Sequence, residues 1–398
     1  MKPSISPDEA LERVIARALP RETVRVPLAD AVGCVTAEPV TSKENVPAFN
    51  RAMMDGYAVH LADAGASVRV TGEIAAGTWM SHMPPVGECL EIMTGAPVPS
   101  GCEAVVPFEH AERAGEEVRL PEVVRPSQHL AAEGSECARG QTVIKAGMPV
   151  TPLLIATLAT LGEKDVAVWK RPSLAIITTG DEVIENETQP GYGKIRDSNG
   201  PMLEALAKET GIRDVRRVHA EDSLEKLVET LQVLSAFDLV VFSGGVSMGT
   251  HDLVPSAVKK WGAEEVFHTV RQKPGKPLFF AVKDRRLIFG LPGTPMGSHL
   301  SFHRYVRAAI RAKMGLSTAV DCFLGKLTAP LMYHSDRMLF FSAQATWTGD
   351  CWEIFPLKGK GSSDLFSPIR ANALLHLPEG DAYLQIGDLV RFERLERP

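Results

Sequence analysis

The stretch Leu239–Asp252, LVVFSGGVSMGTHD, joins an unbroken apolar run directly to a loop of glycine and serine. A short apolar run without alternation predicts a strand that is buried on both faces, as strands of a parallel sheet are. Glycines immediately after such a strand allow backbone N–H groups to approach an anion closely. We therefore expect this loop to form one wall of an anion-binding crevice at the carboxyl end of a sheet.

Strand and helix patterns alternate around this stretch, over residues 173–315. Apolar strands separated by helices of about 10–15 residues predict a parallel sheet that is covered by helices on both faces. The helical patterns begin at Pro201, Asp222, Asp252 and Met296, and the last of them extends to Lys313. Strands are predicted at Leu174–Thr178, Val215–His219, Leu239–Phe242, Glu265–Val270 and Leu287–Phe289.

Two more of these strands end in loops that contain glycine, at Thr178–Glu182, TTGDE, and at Gly290–Pro295, GLPGTP. A single loop of this kind is also typical of an ordinary turn between strand and helix. Three in one domain favour a ligand that contains phosphate or another oxyanion. None of the loops ends in Gly-Lys-Ser/Thr, and the G-x-G-x-x-G fingerprint is missing, which disfavours a P-loop nucleotide hydrolase and a nicotinamide dehydrogenase.

The segment Lys273–Pro277, KPGKP, carries two lysines on either side of a tight Pro-Gly turn. Such a turn directs both ammonium groups toward one spot, where they can neutralise an oxyanion as point charges. A solvated surface turn is the alternative interpretation of this segment.

Acidic residues recur at the strand ends and helix starts of the same region, at Asp181, Glu182, Asp197, Asp222 and Asp252. Several carboxylates beside an anionic ligand indicate a divalent cation between them, and Mg²⁺ is the expected ion. Asp222 and Asp252 are also interpreted as helix caps, since Asp222 opens a capping-box pattern. Glu182 is harder to interpret as a helix cap, because no helical pattern follows Gly180 directly.

The composition of the chain limits its class. At 398 residues it is expected to form two to four domains, and 44% hydrophobic with 23% charged residues is typical of a globular protein. The net charge of −6 gives no reason to expect binding to nucleic acid or anionic lipid. Six scattered cysteines without a C-x-x-C pair predict neither a disulfide framework nor a zinc site. No signal-peptide core or membrane-length apolar run is found, so a cytoplasmic location is expected.

The segments outside residues 173–315 predict further domains. A helix begins at Ser6-Pro7, and Pro149–Leu161 predicts an apolar helix, so the β-type segments between about residues 45 and 145 read as an insertion into a split helical domain. From Asp321 onward the pattern is again β-type, which predicts a small C-terminal barrel or sandwich.

Seven ordered motifs resemble one family over essentially the whole chain: the molybdopterin molybdenumtransferases, called MoeA in bacteria and represented in animals by the gephyrin E domain. These motifs are Met53–Val59, Ile92–Pro99, Thr178–Glu182, Asp197–Asn199, Ser243–Gly249, Lys273–Pro277 and Leu291–Gly293.

The resemblance implies an α/β multidomain fold that forms an elongated homodimer. Its central parallel-sheet α/β domain, residues 172–318, would resemble the molybdopterin-adenylyltransferase fold. A split N-terminal domain for dimerisation would comprise residues 1–45 and 141–171, with an inserted β-rich domain at 46–140 and a C-terminal β-barrel at 319–398. The active cleft would lie between the α/β domain of one subunit and the β-rich insert of the other.

The family's activity implies that adenylylated molybdopterin and molybdate are the substrates, with metal insertion, release of AMP and assistance by Mg²⁺. Tungstate is a second candidate oxyanion, because it is also a tetrahedral dianion of nearly equal size. Molybdopterin adenylyltransferase and chaperones of molybdenum enzymes are the implied protein partners.

Site residues follow from the resemblance position by position. Those implied for catalysis are Asp55, Thr94, Glu182, Asp222, Asp252 and Lys273. Those implied for substrate binding are Thr178, Gly180, Asp197, Ser198, Asn199, Ser243, Gly244, Gly245, Ser247, Lys276, Pro292, Gly293, Pro295, Arg337, Ser362 and Ser363. The implied Mg²⁺ ligands are Glu182, Asp222 and Asp252.

The chain departs from the family pattern at five positions, Ala131, Ala132, Thr269, Thr294 and Ser342, four of which usually carry a positive charge in the family. Each charged hydrogen bond left unmade weakens binding by about 1–3 kcal/mol. A non-catalytic or regulatory paralogue that binds pterin or nucleotide is therefore an alternative. A molybdopterin adenylyltransferase is a third candidate, disfavoured because that reaction does not need the additional β domains.

Overall fold

The computed structural model describes residues 4–19, 22–246 and 253–395. Two compact units make up the chain: residues 1–26, 30–35 and 167–398 form the first, and residues 27–29 and 36–166 form the second. Two residues of the predicted site, Ser247 and Asp252, lie outside the described residues. The helices are Pro7–Arg17, Pro152–Thr160, Asn199–Glu209, Leu224–Val233, Val254–Lys260, Pro295–Ser301, the π-helical turn Phe302–Val306 and Arg307–Lys313, with single 3-10 turns at Leu28–Asp30, Leu61–Asp63 and Phe108–His110.

A six-stranded sheet forms the centre of the first unit. Its strands, in spatial order, are Val215–Ala220, Leu174–Thr179, Leu239–Ser243, Arg286–Leu291, Pro277–Lys283 and Glu264–Thr269. The first four are parallel, and Val241 lies between Ile176 and Phe289 in the register. The carboxyl ends of these four strands therefore meet at one edge of the sheet.

The last two strands of the sheet correct one prediction. The strand expected at Glu265–Val270 is antiparallel to Pro277–Lys283, a strand that the sequence pattern did not reveal, and Pro277–Lys283 is antiparallel to Arg286–Leu291. The connections between these strands are short turns, and a parallel pairing would need a crossover of a dozen or more residues. The sheet is therefore mixed, with an antiparallel edge.

Apolar cores on both faces of the sheet explain the unbroken apolar run at Leu239–Phe242. Val241 belongs to a cluster that includes the helices Asn199–Glu209 and Pro7–Arg17, whereas Val240 and Phe242 belong to a second cluster with the helices Leu224–Val233 and Val254–Lys260. All four residues of the run are completely buried. Alternating side chains thus enter two different cores.

Helix starts agree with the sequence patterns in most places. Ser6 caps the first helix by accepting a hydrogen bond from the backbone N–H of Glu9. The cap of the helix expected at Asp222 is instead Ser223, whose side chain accepts from the N–H of Lys226. Asp222 is therefore not the capping residue, and its carboxylate is available for another contact.

Five strands at the C-terminal end of the first unit close into a barrel. They are, in order around the ring, Met338–Trp347, Trp352–Pro356, Cys322–Leu327, Leu389–Arg394 and Ala373–Leu377, which pairs again with Met338–Trp347. Closure removes the exposed edges that a small sheet would otherwise present. The short strand Gln272–Lys273 pairs in parallel with the start of Met338–Trp347 and so anchors the predicted lysine turn to the barrel. The remaining hairpin of this unit pairs Leu331–Ser335 with Gly380–Leu384.

The second unit is rich in β-structure, as predicted for the inserted segment. Its main sheet has the order Ala104–Pro107, Gly56–Val59, Glu88–Ile92, Ser67–Ile74, Glu117–Arg119 and Glu112–Ala114. Two short pairs add Val40–Thr41 with Thr142–Ile144 and Arg51–Ala52 with Leu130–Ala131. The strands Thr23–Pro27 and Asp165–Trp169 lie where the ranges of the two units meet. The predicted fold class is confirmed, and the four-part boundaries remain a prediction.

Within the described residues, no helix has both the length and the apolar character needed to cross a membrane.

Candidate active site

A cavity of about 900 Å³ opens at the carboxyl ends of the four parallel strands, within the first unit. Cavities of several hundred Å³ or more are typical of sites for cofactor-sized ligands. The predicted site residues that line it are Thr178, Gly180, Glu182, Asp197, Ser198, Asn199, Asp222, Ser243, Gly244, Gly245, Lys273, Lys276, Pro292, Gly293, Pro295, Arg337 and Ser362. Ser363 follows Ser362 in the chain but is not among the lining residues.

The loop after Leu239–Ser243 requires glycine for two reasons. Gly244 has φ of +100°, and a Cβ at this position would lie 2.9 Å from the carbonyl oxygen of Thr179 in the neighbouring strand-end loop. Gly245 has φ of +67°, and its Cβ would lie 2.9 Å from the side chain of Val254. The two strand ends therefore pack backbone against backbone at Gly244, whose N–H donates to the carbonyl oxygen of Leu291 at 3.2 Å.

Asn199 connects two of the glycine loops. Its side-chain Nδ2 donates to Ser243 Oγ at 2.9 Å and to the carbonyl oxygen of Gly293 at 2.8 Å. The Oδ1 atom of Asn199 is buried, and the described residues offer it no hydrogen-bond donor. Since buried polar atoms are almost always paired, this oxygen is suited to a donor on a ligand or an ordered water.

The carboxylates of the site fall into two groups. Asp197 accepts from the backbone N–H of Gly200 at 2.8 Å and thereby stabilises the start of the helix Asn199–Glu209. Asp222 accepts from Thr179 Oγ1 at 3.3 Å, and Glu182 lies beside the backbone of Gly180. Asp222 and Glu182 both line the cavity and present hard oxygen ligands, so they suit Mg²⁺. No cluster of three or more metal-ligating side chains is found within residues 4–19, 22–246 and 253–395.

Basic residues of the predicted site also line this cavity. Lys273 and Lys276 stand on the turn that follows the short strand Gln272–Lys273, and Arg337 stands at the start of the barrel. The Arg337 guanidinium donates to both carboxylate oxygens of Asp336, from Nε to Oδ1 at 2.7 Å and from Nη2 to Oδ2. Hydrogen bonding from Arg337 holds the pKa of Asp336 below its usual range, and the charge of Lys276 adds to this effect.

A loop from the barrel completes the lining. The carbonyl oxygen of Ser362 accepts from the N–H of Met296, at the start of the helix Pro295–Ser301. Asp364 stabilises the loop by accepting from the backbone N–H groups of Lys360, Phe366 and Ser367 at 2.9 to 3.1 Å. Hydrogen bonds from Ser367 and from these N–H groups lower the pKa of the Asp364 carboxyl.

Several lining residues were missed at the sequence level, among them Gln272, His299 and Asp336. Gln272 directly precedes the lysine turn, and Asp336 directly precedes Arg337, so neighbourhood in the chain was their only signal. His299 lies four residues after Pro295 and hence on the same helix face. Its Nδ1 atom is buried, with no hydrogen-bond partner among the described residues.

Two predicted catalytic residues, Asp55 and Thr94, lie in the second unit and contact each other. The backbone N–H and the hydroxyl of Thr94 both donate to Asp55 Oδ1, each at 2.7 Å. These hydrogen bonds from Thr94, the side-chain bond foremost, lower the pKa of the Asp55 carboxyl. Asp55 is therefore held in its ionised form in a fixed orientation.

The five departures from the family pattern differ in their surroundings. Thr294 and Ser342 line the cavity, so the charge that an arginine at Ser342 would supply is missing there. Thr269 is buried, its hydroxyl 2.7 Å from Ser4 Oγ, and is not among the lining residues. Ala131 and Ala132 lie in the second unit, where Ala131 pairs with Arg51.

Comparisons with known proteins agree along the chain. Residues 5–162 match a family model described as MoeA N-terminal region (domain I and II), residues 175–312 a probable molybdopterin binding domain, and residues 325–395 the MoeA C-terminal region (domain IV). A molybdopterin molybdenumtransferase of Staphylococcus epidermidis is 33% identical, over 97% of this chain and 94% of that protein. One from Staphylococcus aureus is 30% identical, over 96% and 93%.

Solved structures show the same relation. The crystal structure of the molybdopterin biosynthesis MoeA protein from Pyrococcus horikoshii covers 100% of both chains, with a TM-score of 0.83 and 27% sequence identity. A molybdenum cofactor biosynthesis protein from Pyrococcus furiosus, at 17% identity and a TM-score of 0.58, shares the fold. The chain belongs to the MoeA family of molybdopterin molybdenumtransferases.

Proposed function

We propose that this protein inserts molybdenum into molybdopterin, using adenylylated molybdopterin and molybdate as substrates and releasing AMP. The observation that carries the proposal is that one cavity gathers the glycine loops, both lysines, Arg337 and several carboxylates, Glu182 and Asp222 among them. Such a combination suits a ligand with phosphate groups beside a separate oxyanion, since each anion then has its own donors.

The glycine loops bind the phosphate groups of the pterin substrate in this proposal. Gly180, Gly245 and Gly293 line the cavity, and their backbone N–H groups are the phosphate donors in this proposal, since the N–H of Gly244 already donates to the carbonyl oxygen of Leu291. Asn199 orients two of these loops, and its free Oδ1 accepts a hydrogen bond from the ligand. Backbone donors that are already fixed bind a phosphate without the entropy cost of ordering a loop.

Lys273, Lys276 and Arg337 bind molybdate in this proposal. The two lysine ammonium groups balance the charge of the dianion, and Arg337, whose plane and charge are fixed by its pair with Asp336, adds hydrogen-bond donors. Bound beside the pterin, molybdate is held next to the sulfur atoms that are to receive the metal, which replaces a bimolecular encounter by an oriented one.

Mg²⁺ suits the carboxylate side of the cavity, and Glu182 with Asp222 would hold it together with the substrate phosphates. Asp252, the third predicted ligand, lies outside the described residues. When bound, the ion neutralises charge on the phosphates and so assists departure of AMP.

Asp55 and Thr94 contribute to catalysis in this proposal, with Thr94 keeping the Asp55 carboxylate ionised.

We propose in addition that the chain acts as a homodimer through residues 1–45 and 141–171. Sedimentation equilibrium at micromolar concentration is expected to give twice the chain mass, and a monomer at the same concentration would contradict this part.

Release of AMP tests the proposed reaction. Protein incubated with adenylylated molybdopterin and Mg²⁺ is expected to release AMP only when molybdate is added, and tungstate in a parallel sample reveals the oxyanion preference. Release that does not depend on either oxyanion contradicts the proposal. Binding of the substrate without any release of AMP would favour the non-catalytic alternative, and consumption of ATP with molybdopterin would favour an adenylyltransferase.

A further inference from the structure

Two completely buried side chains lie behind the lysine turn. Tyr305 and Gln272 each have no accessible surface, and the Tyr305 hydroxyl donates to Gln272 Oε1 at 2.5 Å. Gln272 Nε2 in turn donates to the carbonyl oxygen of Gly275 at 3.2 Å. A chain of two hydrogen bonds thus connects the helical segment that contains Tyr305 to the middle of the turn.

The turn also packs directly against that helical segment. Gly275 has φ of +85°, and a Cβ there would lie 3.0 Å from Ser301 Oγ and 3.3 Å from the carbonyl oxygen of Gly297. Tyr305 itself stands in the π-helical turn Phe302–Val306, and such turns are frequent at functional sites.

Backbone contacts fix both ends of the turn but not its centre. Val270 donates to the carbonyl oxygen of Lys276 at 3.0 Å, and Gln272–Lys273 pairs with the strand Met338–Trp347. Between these anchors, the side-chain bond from Gln272 holds the Gly275 carbonyl. This bond therefore acts on Pro274 and Gly275, the two residues that separate Lys273 from Lys276.

We propose that Tyr305 and Gln272 are positioning residues for the oxyanion, which hold the turn so that both lysine ammoniums converge on it. The inference rests on the proposed role of Lys273 and Lys276 as oxyanion ligands. Loss of the Tyr305 hydroxyl leaves Gln272 Oε1 buried without a donor, so the amide reorients and releases Gly275. The lysines then have to be ordered each time an oxyanion binds, which weakens binding.

Tyr305→Phe tests the inference because it removes one oxygen atom and keeps the ring. The KM for molybdate is expected to rise about tenfold, as for one lost positioning hydrogen bond, while kcat at saturating molybdate changes less than about twofold. Calorimetric titration with molybdate alone is expected to show the same weakening. Tyr333→Phe, a half-buried tyrosine of the barrel region, is the matched control and is expected to leave both constants unchanged.

Gln272→Leu and the double variant Tyr305→Phe/Gln272→Leu separate positioning from general destabilisation. Both single changes act on the same turn, so the double variant is expected to match the weaker-binding single variant. Additive losses in molybdate affinity contradict the inference, as does a loss confined to kcat. If Tyr305→Phe does not fold, Gln272→Leu alone decides the question: a raised KM for molybdate supports the inference, and an unchanged KM or a loss confined to kcat contradicts it.

Lys276→Ala distinguishes failure of this inference from failure of the proposed function. A raised KM for molybdate in Lys276→Ala together with an unchanged value in Tyr305→Phe overturns the positioning role alone. An unchanged KM in Lys276→Ala overturns the oxyanion role of the turn and the inference with it.

Discussion

Gly244 shows at the scale of one residue how the apolar strand and its loop make a site. Its positive φ and the 2.9 Å approach of a hypothetical Cβ to the Thr179 carbonyl leave no room for a side chain. The glycine is thus explained by the close approach of two backbones rather than by flexibility. The sequence predicted this loop as one wall of an anion-binding crevice, and the structure places it beside the glycine loop Thr178–Glu182.

Gly244→Ala is expected to destabilise the protein by about 1–3 kcal/mol, because it combines backbone strain with a clash against another backbone. Affinity for adenylylated molybdopterin is expected to fall with it, since the loop must shift. Urea unfolding and a fluorescence titration measure the two effects. Gly191→Ala is the matched control, because that glycine has open space around its Cβ position and does not line the cavity. Equal behaviour of the two variants would contradict the explanation.

His303 is the residue whose burial predicts a pH effect. Burial lowers the pKa of its imidazole to about 3, against the opposing influence of the Glu393 carboxylate and with support from Arg307, His299 and Arg304. The Arg307 guanidinium donates to His303 Nδ1 at 3.2 Å, which fixes the neutral ring with its proton on Nε2. Because the native state resists protonation, the unfolded state binds the proton first as the pH falls below about 6.5.

Stability is therefore expected to decrease by about 2 kcal/mol from this histidine between pH 7 and pH 5. The contribution is present above the unfolded pKa near 6.5 and is lost progressively as the pH falls toward the folded value of about 3. His303→Gln is expected to flatten the fall in the urea midpoint, whereas His82→Gln, at an exposed position, is expected to leave it as in the wild type. An unchanged slope in His303→Gln would contradict the burial argument.

At the scale of elements, strand ends were predictable and the sheet edge was not. The parallel strands carry unbroken apolar runs because both faces are buried, so their ends at Thr179 and Ser243 are visible in the sequence. Pro277–Lys283 was missed although its apolar run LFFAV is typical of a buried strand, because it begins with a proline directly after the lysine turn. Its antiparallel pairing depends on a short connection, and the closure of the barrel depends on pairs far apart in the chain.

Among the residues that line the cavity, those close in the chain to a recognisable motif were predictable and the others were not. Predicted residues adjacent to a recognisable loop line one cavity, whereas the place of His299 in the lining depends on how its helix packs. Asp222 illustrates a misassigned cap, since the adjacent Ser223 satisfies the helix start and leaves the carboxylate facing the cavity. The sequence pattern placed the cap one residue too early, and this difference decides whether Asp222 caps the helix or lines the cavity.

Asp364 tests whether the barrel loop belongs to the oxyanion site. Asp364→Ala removes the acceptor of three backbone N–H groups, so the loop that contains Ser362 is expected to lose its conformation. The KM for molybdate is expected to rise about three- to tenfold. Asp350→Ala, in an exposed turn of the barrel that does not line the cavity, is the matched control. A normal KM in Asp364→Ala would exclude this loop from the site.

At the scale of the whole molecule, the resemblance to MoeA proteins extends over both units, and the full-length structural match carries the fold. Composition and periodicity alone predicted a phosphate- or oxyanion-binding α/β domain with β-rich neighbours. The chemical identity of the ligand came from the ordered motifs, because charge and glycine content do not distinguish one pterin phosphate from another phosphorylated ligand. The proposed roles of Asp55 and Thr94 depend likewise on the family, since Asp55-Gly56 by itself is typical of a β-turn.

The most direct test of the account is the amount of molybdenum transferred per AMP released. Wild-type protein is incubated with adenylylated molybdopterin, Mg²⁺ and molybdate, and the pterin fraction is then analysed for molybdenum by mass spectrometry and the supernatant for AMP. Equal amounts of pterin-bound molybdenum and AMP are predicted, with both falling together in Lys273→Ala. AMP without pterin-bound molybdenum, or full transfer in Lys273→Ala, would contradict the account.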